Sequence, residues 1–153
     1  RRSANPVGRL LLHLYGVHTA QALEQSDAIC TALQLINFWQ DLSVDLPRGR
    51  FYLTEADCAA HGVQRADLLA LRSTKNTTQL IAASADWARA SMLKGAPLVH
   101  LLPGRAGWEL RLVVQGGLLI LDKVDALRGG SLHTRPCIRA WDAPLMLLRA
   151  LTM

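Results

Sequence analysis

Between residues 20 and 46 neither glycine nor proline interrupts the chain, and apolar side chains recur at helical rather than alternating spacing. The backbone there is expected to form one long α-helix, ended by Pro47. The same period runs through nearly the whole sequence, and no stretch sustains the apolar-polar alternation of a half-buried strand. The expected fold class is therefore all-α, a helical bundle.

The other helices are placed by their punctuation. A first helix over about residues 1–15 carries Pro6 and Gly8 inside it and stops at Gly16; the proline removes a backbone donor and is expected to kink it. Thr54, with Asp57 three residues on, reads as a capping box for a short helix closed by Gly62. A helix over about residues 77–94 resumes after Pro97. The turn at residues 103–105 then introduces one over about 106–127, terminated by Gly129 and Gly130. Asp142 is the expected N-cap of a last segment that runs to the end. No repeat, low-complexity tract or linker divides the chain, so residues 1–153 read as one domain.

Composition narrows the function classes. Half of the residues are hydrophobic, only 19% are charged, and the mean hydropathy is +0.16. So apolar a chain either buries more than usual or handles something greasy. No uncharged apolar run reaches the roughly 18 residues of a spanning helix; residues 112–121 stop at Asp122 and Lys123. Cys30, Cys58 and Cys137 are odd in number, widely spaced and form no CxxC pair, so neither a disulfide framework nor a zinc knuckle is suggested, and a reducing cytoplasm fits best.

The net charge of +5 favours anionic partners. Nucleic acid is not indicated, since the arginines are scattered without interleaved aromatics. His13, His18, His61, His100 and His133 show no metal-ligand spacing, no serine sits in a GxSxG setting, and "GRAGWELRL" is no dinucleotide fingerprint. Trp39, Trp87, Trp108 and Trp141 read as core or interface residues, with Trp39 the best placed to stabilise a cation.

Against this background the row Asn37, Asp41, Asp45 stands out, with Gln34 one turn earlier and Arg48, Gly49 and Arg50 just after. Residues four apart stack on one helix face, so these oxygens form a ridge, and its two carboxylates repel each other. The flanks Leu33, Leu35, Ile36, Phe38, Trp39 and Leu42 are apolar nearly all round, and an acidic ridge with little water access needs partners or a metal. Magnesium suits such a ridge, because it takes one or two carboxylates and completes its shell with water and phosphate. That implies a diphosphate, whose oxygens Arg48 and Arg50 could neutralise.

The stretch "LQLINFWQDLSVDLPRGRFYL" closely resembles the second aspartate-rich motif of the squalene/phytoene synthases. "RRSANPVGRLLLHLYG" resembles the preceding helix in the bacterial branch that makes squalene for hopanoids, the HpnC-like (hydroxy)squalene synthases. Leu102 and Pro103, "LLILDKVDALRGG" and Arg135 also sit where that family has counterparts. The resemblance implies the C-terminal part of an isoprenoid-synthase α-bundle. It implies metal and diphosphate roles for Asn37, Asp41 and Asp45, catalytic for the two aspartates, with Gln34, Arg48, Arg50 and Tyr52 binding substrate.

By the same resemblance the cofactor is Mg2+ and the substrate a prenyl diphosphate. The first expectation is presqualene diphosphate, which would lose diphosphate and capture water. The second is head-to-head condensation of prenyl diphosphates such as farnesyl diphosphate. A non-catalytic assembly or membrane-surface factor is a third class. A cytoplasmic protein with peripheral contact at the inner face of the membrane is expected. Gln40 departs from the arginine, and Thr54 from the proline, of many relatives. The family uses two acidic motifs on facing helices and this sequence contains the second, so the chain reads as a piece of a longer protein, inactive alone.

Overall fold

The structure, a computed structural model, describes residues 3–153; Arg1 and Arg2, at the start of the expected first helix, lie outside the described residues. Among the described residues eight α-helices run in order: α1 (Ala4–Leu14), α2 (Ala20–Gln40), α3 (Leu42–Asp45), α4 (Glu55–Ala60), α5 (Arg65–Leu69), α6 (Lys75–Gly95), α7 (Gly104–Ala126) and α8 (Ala143–Leu151). Short 3₁₀ turns lie at Leu46–Arg48, Ala96–His100, Gly130–Leu132 and Ala140–Asp142, and no strand occurs among the described residues. The all-α expectation holds. No helix among the described residues is long and apolar enough to cross a membrane.

The chain packs as two compact units. The first takes the residues up to Gln34 with Ala88–Leu119 and Ile138–Met153; the second takes Leu35–Trp87 and Ile120–Cys137. In the first, Leu12, Ile29, Ala32, Met92, Val114 and Ala150 are buried. Small residues let its helices approach closely. A Cβ on Gly95 of α6 would lie 2.6 Å from the Gln25 carbonyl oxygen of α2, and one on Gly8 of α1 would lie 2.5 Å from both Ser26 Oγ and Cys30 Sγ. Thr31 Oγ1 donates to Asn5 Oδ1 at 3.2 Å, and Arg9 grips Asp27 at 2.6 Å.

In the second unit Ile36, Trp39, Leu42, Leu68, Leu80 and Leu121 are buried. Here α3 packs beside the turn Gly130–Leu132, and α5 beside Leu46–Arg48. Thr74 begins α6, its Oγ1 accepting from Thr77 N at 3.1 Å, which satisfies an orphan donor and starts the helix before residue 77. The Thr54 cap forms as expected, with Asp57 N donating to Thr54 Oγ1 at 3.1 Å. Gly62 follows α4 at φ +63.

Two expectations are corrected. Pro6 does not kink α1: the helix begins at Ala4, so the proline falls in the first turn, where its missing N–H bonds nothing in any case. Gly8 serves contact with α2 instead. The long helix does not reach residue 46, because α2 ends at Gln40 and Asp41 turns away from helical geometry at φ -99, ψ 12. Its carbonyl accepts from both Val44 N and Asp45 N, at 2.9 and 2.8 Å. Of the tryptophans read as core or interface residues, Trp39 is the buried one. Trp39 is 5% exposed, but Trp87, Trp108 and Trp141 are 58%, 37% and 67% exposed.

Candidate active site

The row of oxygens survives the break in the helix. Asp41 N donates to the Asn37 carbonyl at 3.0 Å and Asp45 N to that of Asp41, so the three residues occupy consecutive turns. They sink along the row: Asn37 is exposed and Asp41 half-buried, while the Asp45 side chain is only 12% exposed. Gln34 lies on α2 one turn before Asn37, half-buried.

Each carboxylate has an arginine. Arg50 Nη1 donates to Asp45 Oδ1 at 3.3 Å, and its backbone N donates to the Asp45 carbonyl at 3.0 Å. The turn over Leu46–Arg48, closed by Gly49 at φ 72, folds the chain back far enough for both bonds. Arg135 Nε donates to Asp41 Oδ1, and this bond, more than the nearby charge, holds the Arg135 guanidinium still more firmly protonated than usual. The neighbouring Gln40 Nε2 donates to the Pro136 carbonyl at 2.7 Å. Residues 135–136 are thereby strapped across the junction of α2 and α3.

Of the other expected site residues, Tyr52 stacks flat on Phe38, with ring centroids 3.9 Å apart. This sets the segment after Gly49 beside the residue that follows Asn37. Arg48 is exposed. Trp39, buried among apolar side chains, is a core residue, and its indole Nε1 has no partner among the described residues. Arg135 and Gln40 are the members that sequence reasoning did not assign. Arg135 lies 94 residues from Asp41, in a loop without a motif of its own.

The donor set fits magnesium. It consists of hard oxygens only: two carboxylates and an amide. Each carboxylate spends Oδ1 on its arginine, and Oδ2 of each has no hydrogen bond among the described residues. No group of three or more His, Cys, Asp or Glu side chains converges among the described residues. These residues therefore offer two carboxylates at most, a number that leaves room for water and phosphate in a magnesium shell.

The first unit contains a largely apolar cavity of about 350 Å³, lined by Leu11, Leu12, Leu33, Leu98, Leu110 and Val113 among others.

Comparison with known proteins agrees with these features. The squalene/phytoene synthase family matches residues 1–142. A phytoene synthase from Thermus thermophilus is 35% identical over 148 residues, covering 96% of this chain and 50% of the relative. A hydroxysqualene synthase from Sinorhizobium fredii is 31% identical over 128 residues, 83% of this chain and 42% of the relative. The crystal structure of squalene synthase HpnC from Alicyclobacillus acidocaldarius matches with a TM-score of 0.79 at 38% identity, over 82% of this chain and 48% of that one. The chain spans about half the length of the relatives it matches. With the family matched over the aspartate row, its arginines and all but the last helix, the chain belongs to the squalene/phytoene synthase family.

Proposed function

We propose that this chain supplies one acidic half of a prenyl-diphosphate site of the hydroxysqualene synthase type, acting on presqualene diphosphate in the cytoplasm on a route to hopanoids. The observation that carries the reading is the row Asn37, Asp41, Asp45 with an arginine on each carboxylate. Magnesium held by these three residues would neutralise the diphosphate as it leaves. Arg50 and Arg135, 58% and 48% exposed in their side chains, would turn from the carboxylates to phosphate oxygens as the metal takes over the charge of buried Asp45 and half-buried Asp41, and exposed Arg48 adds a third cation. Gln34 and Tyr52 border the row and would orient the substrate. Shielding the carbocation until water captures it would fall to apolar walls of the complete enzyme.

Calorimetry with magnesium and inorganic diphosphate tests the site. Diphosphate should bind only with magnesium, and Asp45→Asn should weaken binding by about tenfold or more. Binding indifferent to metal and carboxylate would overturn the reading. The chain alone, given presqualene diphosphate and magnesium, should release no diphosphate, because the opposing acidic motif is not among its residues; appreciable release would refute that two motifs are needed.

The identity to a phytoene synthase favours a second reading, head-to-head condensation of two prenyl diphosphates. Product analysis of a complete enzyme containing this chain separates the two: an alcohol from water capture, or a hydrocarbon.

A further inference from the structure

Two neighbouring residues at the end of α2, Gln40 and Asp41, are bonded to two neighbouring residues far along the chain. Gln40 Nε2 donates to the Pro136 carbonyl at 2.7 Å, and Arg135 Nε donates to Asp41 Oδ1. The segment so held has little else to fix its course, since residues 135–138 belong to no helix and among the described residues none of their backbone groups bonds another backbone group. Cys137 Sγ donates to the Arg135 carbonyl at 3.6 Å, a bond inside the segment itself.

The two bonds differ in what disturbs them. The pair Arg135 and Asp41 is ionic and partly exposed, so a cation taken up by Asp41 competes with it directly. The Gln40 bond joins two neutral groups, and Pro136, whose carbonyl accepts it, is buried. A change of charge at Asp41 therefore removes the first bond and spares the second. Arg135 spends Nε on Asp41 and Nη1 on Cys137 Sγ at 3.8 Å, which leaves its Nη2 without a hydrogen bond among the described residues.

We propose that Gln40 is a positioning residue for Arg135. When Asp41 turns to a metal ion and Arg135 lets go, the Gln40 bond keeps the backbone of residues 135–136 against the end of α2, so the freed guanidinium stays within a side chain's length of Asp41. A guanidinium confined in this way meets phosphate oxygens with less loss of freedom than one carried on a loose segment. Glutamine suits the task, because it donates to a carbonyl and brings no second cation beside Arg135. The proposal rests on the diphosphate reading above, and adds to it the group that keeps one of its arginines in place.

Gln40→Met removes the donor and nearly keeps the length of the side chain, and circular dichroism should show its helix content unchanged. In calorimetry of the 153-residue chain with magnesium and inorganic diphosphate, this variant should bind diphosphate about tenfold more weakly than wild type. Magnesium alone should bind it at least as tightly, since Arg135 then competes less for Asp41. Arg135→Gln should lose a similar factor, and Gln40→Met combined with Arg135→Gln should lose no more than Arg135→Gln by itself, because no guanidinium is left to position. Diphosphate binding unchanged by Gln40→Met, losses that multiply in the double variant, or a weakening for magnesium alone as large as that for diphosphate would each overturn the proposal. If wild type binds diphosphate with magnesium and only these comparisons fail, the positioning role falls and the diphosphate reading stands. If wild type itself binds no diphosphate, both fall.

Discussion

Arg135 reaches back 94 residues to donate its Nε–H to Asp41 Oδ1, so the carboxylate at the break between α2 and α3 is neutralised by the chain itself. The like charge of Asp45 is met in the same way by Arg50. Two arginines thus balance the charge of the acidic row.

Asp41→Asn should keep the fold and abolish most activity of a complete enzyme. The Arg135 pair is partly exposed and screened by solvent, so its loss should shift stability by only about 1 kcal/mol. Losing the charged ligand where diphosphate departs should cost roughly a hundredfold in turnover or more. Turnover and thermal midpoint are to be compared across a magnesium titration. Near-normal turnover would return Asp41 to an ordinary polar face.

Arg135→Gln should change stability by an amount that stays flat from about pH 7 to pH 10. The arginine's folded pKa is raised, chiefly by its bond to Asp41, so its contribution is fully present below the unfolded value and is lost only as pH rises through the folded one. That lies beyond the range. Denaturant midpoints at several pH values would show it, and a difference growing steadily across this interval would contradict the assignment.

Gln40→Ala should cost about 1 kcal/mol by leaving the Pro136 carbonyl without its donor. In a chain of this size the thermal midpoint should fall by about 2 to 4 °C. An unchanged midpoint would mean that residues 135–136 are held without this bond.

Gly95→Ala should be far more damaging, by about 3 kcal/mol. The new methyl would meet the Gln25 carbonyl oxygen at 2.6 Å and Ile29 N at 2.9 Å, both backbone atoms that no side-chain rotation can clear. A loss below about 1 kcal/mol in chemical unfolding would show that α6 can move away from α2 cheaply.

Cys137 should be alkylated first. It is exposed, whereas Cys30 is half-buried and Cys58 buried, and burial chiefly pushes both of their thiols above the ordinary value. At mildly alkaline pH they hold less thiolate. Peptide mapping after brief iodoacetamide treatment would show the order, and Cys30 reacting as fast as Cys137 would contradict it.

Much of this protein was legible along the chain. Helical period and the Gly62 and Gly129 stops are local properties, and the spacing of Asn37, Asp41 and Asp45 needs only the geometry of one helix. The resemblance carried by the same residues named the family. The break at Asp41 was not legible, since helix propensity through that region is unbroken and residues 135–136 act on it from far along the sequence.

What only tertiary structure decided is partnership and exposure. Gly8 and Pro6 look alike as helix breakers, yet one is a contact point with α2 and the other an inert first-turn residue, because their effects depend on a neighbouring helix and on where the helix begins. The tryptophans were indistinguishable by type, and packing buried Trp39 while leaving Trp141 in solvent. A sequence by itself determines which faces are apolar. Which of those faces finds a cover is decided by elements distant along the chain: on α8 Ala150 is buried, while Leu148 and Leu151 stay exposed.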